Sequence, residues 1–198
     1  MRKAPQQARS RSTVEAVIQA GARILSEHGW AGFTTNKVAE LAGVSIGSLY
    51  QYFPDKLSLV NAIRSRHLDD SLEVMRATRA KGRPARIFAA ELVEAIVAVH
   101  SVNPGLHRAL LDEAPSFDGY LNPNSAFEIE YLGCYAEAVA AYRGRRPTPQ
   151  DQMRGVVLSD AIDGVIHNAA RRGALGDAKI QAELVRLIAL YLEDGGEV

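Results

Sequence analysis

Apolar residues recur three and four positions apart along most of the chain and never in sustained alternation, a pattern that predicts helices and no strand. From Thr13, the residues Val14, Val17, Ile18, Ile24 and Leu25 share one side of a first helix that stops near His28-Gly29. His28 there complements the helix dipole and reads as a cap rather than a ligand, while Trp30 and Phe33 pack the corner. Thr34 or Thr35 caps a short helix whose inward face is Val38, Leu41 and Ala42, and Gly43 supplies a stop and a tight turn. Ser45 caps a second short helix on which Leu49 and Phe53, four residues apart, share a buried face. Gly47, Ser48, Gln51 and Tyr52 lie on its other sides with no apolar reason to be there. Pro54 ends that helix by restricting Phe53, and Asp55 is the N-cap of a fourth running through Leu57, Leu59, Val60 and Ile63. A short helix, a glycine turn, a second helix and a stop form a helix-turn-helix, whose exposed face would enter a major groove.

The fourth helix continues through Leu68, Leu72 and Met75 to the basic stretch TRAKGRPAR and so would join head to body. Pro84 opens a fifth helix bearing Phe88, Leu92, Ile96 and Val99. Asn103-Pro104 starts a sixth through Leu106, Leu110 and Leu111, which Pro115 closes. SFDGYLNPNS reads as a loop, after which Phe127, Tyr131 and Tyr135 recur every four residues on a seventh helix. Thr148, Pro149 and Asp151 form a strong helix start, followed by Met153, Val157, Leu158, Ala161, Ile162, Val165, Ile166 and Ala169. Beyond Gly173 and Gly176, a last amphipathic helix carries Ile180, Leu184, Leu187, Ile188 and Tyr191. The expectation is an all-α chain of about nine helices. Residues 1–66 would form a three-helix helix-turn-helix head with a basic N-terminal arm, and residues 67–198 a helical body.

A formal charge of zero does not suit a DNA binder, but it hides an asymmetry. Residues 1–66 hold nine Lys/Arg against four Asp/Glu, and the remainder fourteen against nineteen. Positive charge thus concentrates where phosphate would lie. The leader MRKAPQQARSRS carries Arg2, Lys3, Arg9 and Arg11 and no acid; it is either an arm reaching an adjacent minor groove or a solvated tail. Cys134 is the single cysteine, so an intrachain disulfide and a multi-thiolate metal site are both excluded and a reducing cytoplasm fits. With no apolar leader and no apolar run near the ~18 residues of a membrane span, the expectation is a soluble, cytoplasmic protein without a membrane partner.

Gly43-Val44-Ser45-Ile46-Gly47 matches the G-x-S-x-G nucleophile elbow of hydrolases, but that motif needs a buried strand before the serine, whereas NKVAELA is helical. Ser45 as a helix cap accounts for the same letters. His67, His100, His107 and His167 are dispersed, with no H-x-x-x-H pair, and neither a Walker loop nor a dinucleotide fingerprint is present. No catalytic residue, metal or cofactor is therefore expected. An architectural DNA binder without an effector is a second alternative, but it would carry a basic body, and this body is acidic.

Gly29, Phe33, Thr34, Thr35, Val38, Ala39, Ala42-Gly43-Val44-Ser45, Gly47, Leu49-Tyr50, Tyr52-Phe53, Lys56 and Leu59 resemble the N-terminal signature of the tetracycline-repressor (TetR) family of bacterial regulators, over roughly residues 12–60. Tyr52 departs from it, since many members carry His there; both side chains can donate to a phosphate. The other 140 or so residues resemble the family's body only in layout. The resemblance implies an all-helical homodimer that binds a double-stranded DNA operator and is released by a small-molecule effector, with residues 67–198 as the effector-binding and dimerisation domain. It implies further that Thr35, Ser48, Tyr50, Tyr52 and Lys56 hold phosphates, beside the helix start at Ser45, with Asn36, Ile46, Gly47 and Gln51 nearest the bases. Hydroxyls, lysine and helix-start N–H groups suit phosphate, and amides suit adenine edges. Ile46 either meets a thymine methyl or folds back beside Leu49, and Tyr50 either holds phosphate or packs.

The two terminal helices resemble the family's dimer-forming pair, with Val157, Ile162, Val165, Ile166, Leu184, Leu187, Ile188 and Tyr191 as the expected interface; an intrachain core is the other reading. No motif marks an effector site. Phe88, Leu92, His100, His107, Phe117, Phe127, Tyr131 and Tyr135 either line a cavity for a mainly apolar or aromatic effector or form ordinary core.

Overall fold

The computed structural model describes residues 8–78, 80, 82–115 and 124–193, so residues 1–7 of the basic arm and Phe117 lie outside the described residues. Among those described, the chain forms α1 (Ala8–Gly32), α2 (Thr35–Leu41), α3 (Ile46–Tyr52), α4 (Lys56–Ala77), α5 (Ala85–Val102), α6 (Leu106–Arg108), α7 (Ala126–Tyr142), α8 (Pro149–Arg171) and α9 (Ala178–Glu193), with no strand. A one-turn π segment, Ala109–Glu113, extends α6. No helix among the described residues is long and apolar enough to cross a membrane.

The helices sort into two compact units, residues 1–68 with 103–120 and residues 69–102 with 121–198. Helix α4 passes from the first unit into the second two residues beyond the expected boundary. Residues 103–120, expected within the body at 67–198, cluster instead with the head. In the head core Val17, Leu25, Phe33, Val38, Leu49, Phe53, Leu59 and Val60 are fully buried, and Leu106, Ala109, Leu110 and Ala114 join them. Polar contacts fix this added segment. The Ser26 hydroxyl accepts from the Gly105 N–H at 3.0 Å, and Arg64 donates to the Leu110 carbonyl at 3.0 Å. Arg66 forks onto Glu15 at 2.6 Å for both hydrogen bonds, tying α4 to α1.

Helix α1 is interrupted at Gly29, whose φ of 62° and ψ of −174° leave the helical region, which explains the stop expected at His28-Gly29. The break leaves the Trp30 N–H without a helical acceptor, and the Glu113 carboxylate takes it at 2.9 Å. A Cβ at position 29 would collide with that carboxylate, so glycine serves both the backbone angle and the space.

The second unit has its own core, built from Phe88, Leu92 and Ile96 of α5, Tyr135 and Val139 of α7, Leu158, Ile162 and Ile166 of α8, and Leu184 and Ile188 of α9. The helical spacing of these residues gives each helix one apolar stripe, and the four stripes meet. Helix α8 begins with a complete capping box: Thr148 accepts from the Asp151 N–H, Asp151 accepts from the Thr148 N–H, and Pro149 starts the first turn. Asp151 is fully buried, and Arg145 forks onto it. Burial alone would raise its pKa, but the Thr148 hydrogen bonds and the Arg145 guanidinium outweigh it and hold the carboxyl at about 2.

Candidate nucleic-acid interface

Side-chain caps build the helix-turn-helix. Thr34 caps α2 by accepting from the Lys37 N–H at 3.3 Å, and Ser45 caps α3 by accepting from the Ser48 N–H at 3.0 Å. Between them Gly43 takes a φ of 66°, which lets the Val44 N–H close onto the Ala39 carbonyl at 3.0 Å. Helix α3 is anchored by Leu49, 0% exposed, and ends at Phe53, also 0% exposed. The anchors orient the remaining positions outward.

On that outer side Ile46 is 38% and Tyr50 42% exposed, so Ile46 does not fold back into the core. Gln51, Gly47 and, on α2, Asn36 are exposed as well. The Tyr50 hydroxyl lies 3.1 Å from the Thr35 hydroxyl, which joins α2 and α3 across their outer edge. Ser45 and Ser48 hydroxyls are 2.8 Å apart, so Ser45 is occupied as a cap and follows a helix and turn rather than a strand. That geometry is not the strand-to-helix elbow the hydrolase motif needs. Tyr52 is half-buried against the head core.

Lys56 is less extended than its expected role suggests. Its ammonium donates to the Trp30 carbonyl at 2.8 Å and sits 3.5 Å from the Trp30 ring centroid, and partial burial lowers its pKa. An ammonium has three donors, so two remain for phosphate oxygens. Lys37 was missed. It is exposed in the first turn of α2, beside Asn36, and its ammonium reaches the Gly32 carbonyl at 3.1 Å. The signal was a cation one residue past an expected base-facing amide.

In the second unit, four expected interface residues are turned inward: Ile162, Ile166, Leu184 and Ile188 are at most 2% exposed within a single chain. This corrects their assignment, because α8 and α9 spend those stripes on the intrachain core. Val157 and Leu187, 49% and 43% exposed, remain available, while Val165 and Tyr191 are half-buried. An apolar groove runs past Val165, Ile180, Leu184, Leu187 and Leu190.

Phe88, Leu92 and Tyr135 are buried in the second unit's core, and His100 rests against His167 there, with ring centroids 5.5 Å apart. Burial lowers the His100 pKa. His107 instead belongs to the first unit, where its Nδ1 lies 3.1 Å from His67 Nε2. The α7 stripe does hold together: Phe127 stacks on Tyr131, and the Tyr131 and Tyr135 hydroxyls are 3.3 Å apart. Tyr131 donates to Asp163 at 3.5 Å, and burial, with Asp160 nearby, raises the Asp163 carboxyl to about 7. A separate cleft of about 850 Å³ passes Met75, Arg76, Phe88, Glu130, Cys134 and Arg146. Of the expected residues that are described, Phe88 alone lines it.

Residues 17–63 match the family of bacterial regulatory proteins designated tetR, and residues 84–192 match the tetracyclin repressor-like C-terminal domain. The nucleoid occlusion factor SlmA of Haemophilus ducreyi is 29% identical over 93 residues, 47% of this chain and 46% of that protein. The HTH-type transcriptional repressor KstR2 of Rhodococcus jostii is 35% identical over 89 residues, 43% of this chain and 44% of that protein. The chain thus spans about half the length of the curated relatives it matches. A TetR-family transcriptional regulator from Streptomyces coelicolor, at 26% identity, aligns with a TM-score of 0.64 over 91% of this chain and 97% of that chain. The fatty acid degradation regulator FadR from Bacillus halodurans shares the fold, with a TM-score of 0.67 at 17% identity over 92% of this chain and 99% of that chain.

Proposed function

The chain belongs to the TetR family of bacterial transcriptional regulators, and on that premise we propose that it is a repressor that binds a palindromic operator as a homodimer and is released by a small, mainly apolar or aromatic effector. The observation that carries this reading is the outward face of α3. With Leu49 buried, Ile46, Tyr50 and Gln51 project from a helix capped and braced at both ends. Gln51 can pair with a base edge, and Tyr50, Thr35, Lys37 and Lys56 surround it with phosphate donors. The likeness to KstR2, which is named as a repressor, supports the direction of regulation.

The likeness to SlmA, which is named a nucleoid occlusion factor, keeps open the second alternative of an architectural DNA binder without an effector. The cleft in the second unit and that unit's acidic balance favour the effector reading. Release requires that the ligand prefer one of two head geometries, because tight binding alone shifts no equilibrium. Helix α4, continuous from one unit into the other, is the element that would carry the change.

Gln51→Ala is expected to relax base preference at one operator position by about 1–3 kcal/mol while leaving the salt dependence of binding unchanged. Mobility shifts against a set of single-base operator variants, at two or more salt concentrations, test this. Uniform weakening on every variant would assign Gln51 to the backbone and move base reading elsewhere.

A further inference from the structure

A line of contacts within the first unit leads from the segment after α5 to the DNA-facing edge. The Glu113 carboxylate lies 3.5 Å from Arg108 on one side and accepts the Trp30 N–H at 2.9 Å on the other. The Trp30 carbonyl accepts from the Lys56 ammonium at 2.8 Å, and the Trp30 ring lies beneath that ammonium. Residue 30 is therefore held through both of its peptide groups, by an acid before and a base after. With both groups fixed, the carbonyl direction and the ring plane that seat Lys56 are fixed as well. Gly29 keeps the space the carboxylate occupies. Glu113 stands 83 residues from Trp30 and outside the helix-turn-helix, and core packing does not require an acid there, since its side chain keeps 32% of its exposure.

We infer that Glu113 is a positioning residue for DNA binding, one that acts through Trp30 to hold Lys56 where it can donate to an operator phosphate. The inference rests on the DNA-binding reading above. Its consequence is regulatory: any movement of the Leu106–Glu113 segment that withdraws Glu113 also slackens a phosphate contact. Affinity then falls without any change in base preference.

A double-mutant cycle on the full-length protein tests it. Glu113→Ala should weaken binding about tenfold on specific and nonspecific duplexes alike and lower the magnitude of the salt slope by about 1. Glu113→Gln keeps an oxygen acceptor for the Trp30 N–H and should restore most of the affinity. In a Lys56→Ala background, Glu113→Ala should add little, because both changes remove the same contact. The emission of Trp30, the sole tryptophan, should shift in Glu113→Ala and not in Glu113→Gln. Additive losses in the cycle, or a loss in Glu113→Ala that tracks its unfolded fraction with the salt slope unchanged, would overturn the inference. If Lys56→Ala itself leaves DNA affinity and slope intact, the phosphate role of Lys56 fails instead. Failure of the unmodified protein to bind DNA at all would remove the underlying reading.

Discussion

Leu187→Glu is expected to yield a folded monomer that no longer retains the operator. Leu187 is 43% exposed on α9, and Met153, Val157 and Leu190 are 64%, 49% and 56% exposed on α8 and α9. Leu187 and Leu190 line the apolar groove past Val165 and Ile180. The account places a second copy on that face, in a twofold interface where each substitution appears twice. An unpaired carboxylate buried there would oppose association by roughly 3–5 kcal/mol per copy. The fold should survive, because Leu184 and Ile188, beside Leu187 in sequence, are buried in the intrachain core and stay untouched. Sedimentation and circular dichroism should therefore report a helical monomer, and mobility shifts a loss of well over ~100-fold as one half-site is forfeited. Ile188→Glu should instead unfold the chain, since that side chain is 0% exposed. A Leu187→Glu dimer of unchanged stability would move the interface off α9.

Asp151→Ala is expected to be among the most destabilising changes at a helix start in the chain. The carboxylate is 0% exposed and accepts from the Thr148 N–H at 2.9 Å, the Thr148 hydroxyl at 2.7 Å and Arg145 Nη2 at 3.0 Å. Its removal opens the capping box of α8 and strands the Arg145 guanidinium. Because Arg145 keeps 37% of its exposure and can rehydrate, the loss should fall at the lower end of the range for broken buried pairs. About 3 kcal/mol is expected, or a fall of roughly 6–12 °C in melting temperature. The same group sets an acid limit. Its folded pKa of about 2 lies below the ordinary 3.8, so its contribution is present above pH 3.8 and is lost as pH falls toward 2. That window is worth about 2 kcal/mol. Denaturant titrations between pH 2 and 5 should show a steeper decline for the unmodified protein than for Asp151→Asn, and parallel curves would count against the assigned pKa.

The head was legible because its determinants are local. Thr34, Gly43, Ser45 and Pro54 set caps and turns within a few residues of themselves, and Val38, Leu49 and Phe53 need only helical spacing to declare their faces. The same spacing fails where the question is which neighbour a face meets. Leu106 and Leu110 announce a buried stripe, but nothing in it says that the stripe joins the head core rather than the body. Ile162 and Val165 are three residues apart on α8, yet one is fully buried in the chain and the other half-buried, a division set by the packing of α7 and α9. Aromatic residues at helical spacing leave cavity lining and ordinary core both open, and Phe127, Tyr131 and Tyr135 do line up on α7. Phe88 turns toward the cleft while His107 belongs to the other unit. Lys56 was expected to reach phosphate without an intermediary. Its partner Trp30 is 26 residues away, and a link of that range leaves no periodic trace.

The central claim is that α3 reads DNA sequence as half of a symmetric dimer. Selection of bound sites from random duplexes, followed by determination of the number of chains on a selected site, tests it most directly. The account predicts an inverted repeat with half-site centres about 34–36 Å apart, or a multiple of that, occupied by an even number of chains and bound with a steep salt dependence. Recovery of unenriched DNA, or of an asymmetric site held by one chain, would contradict it.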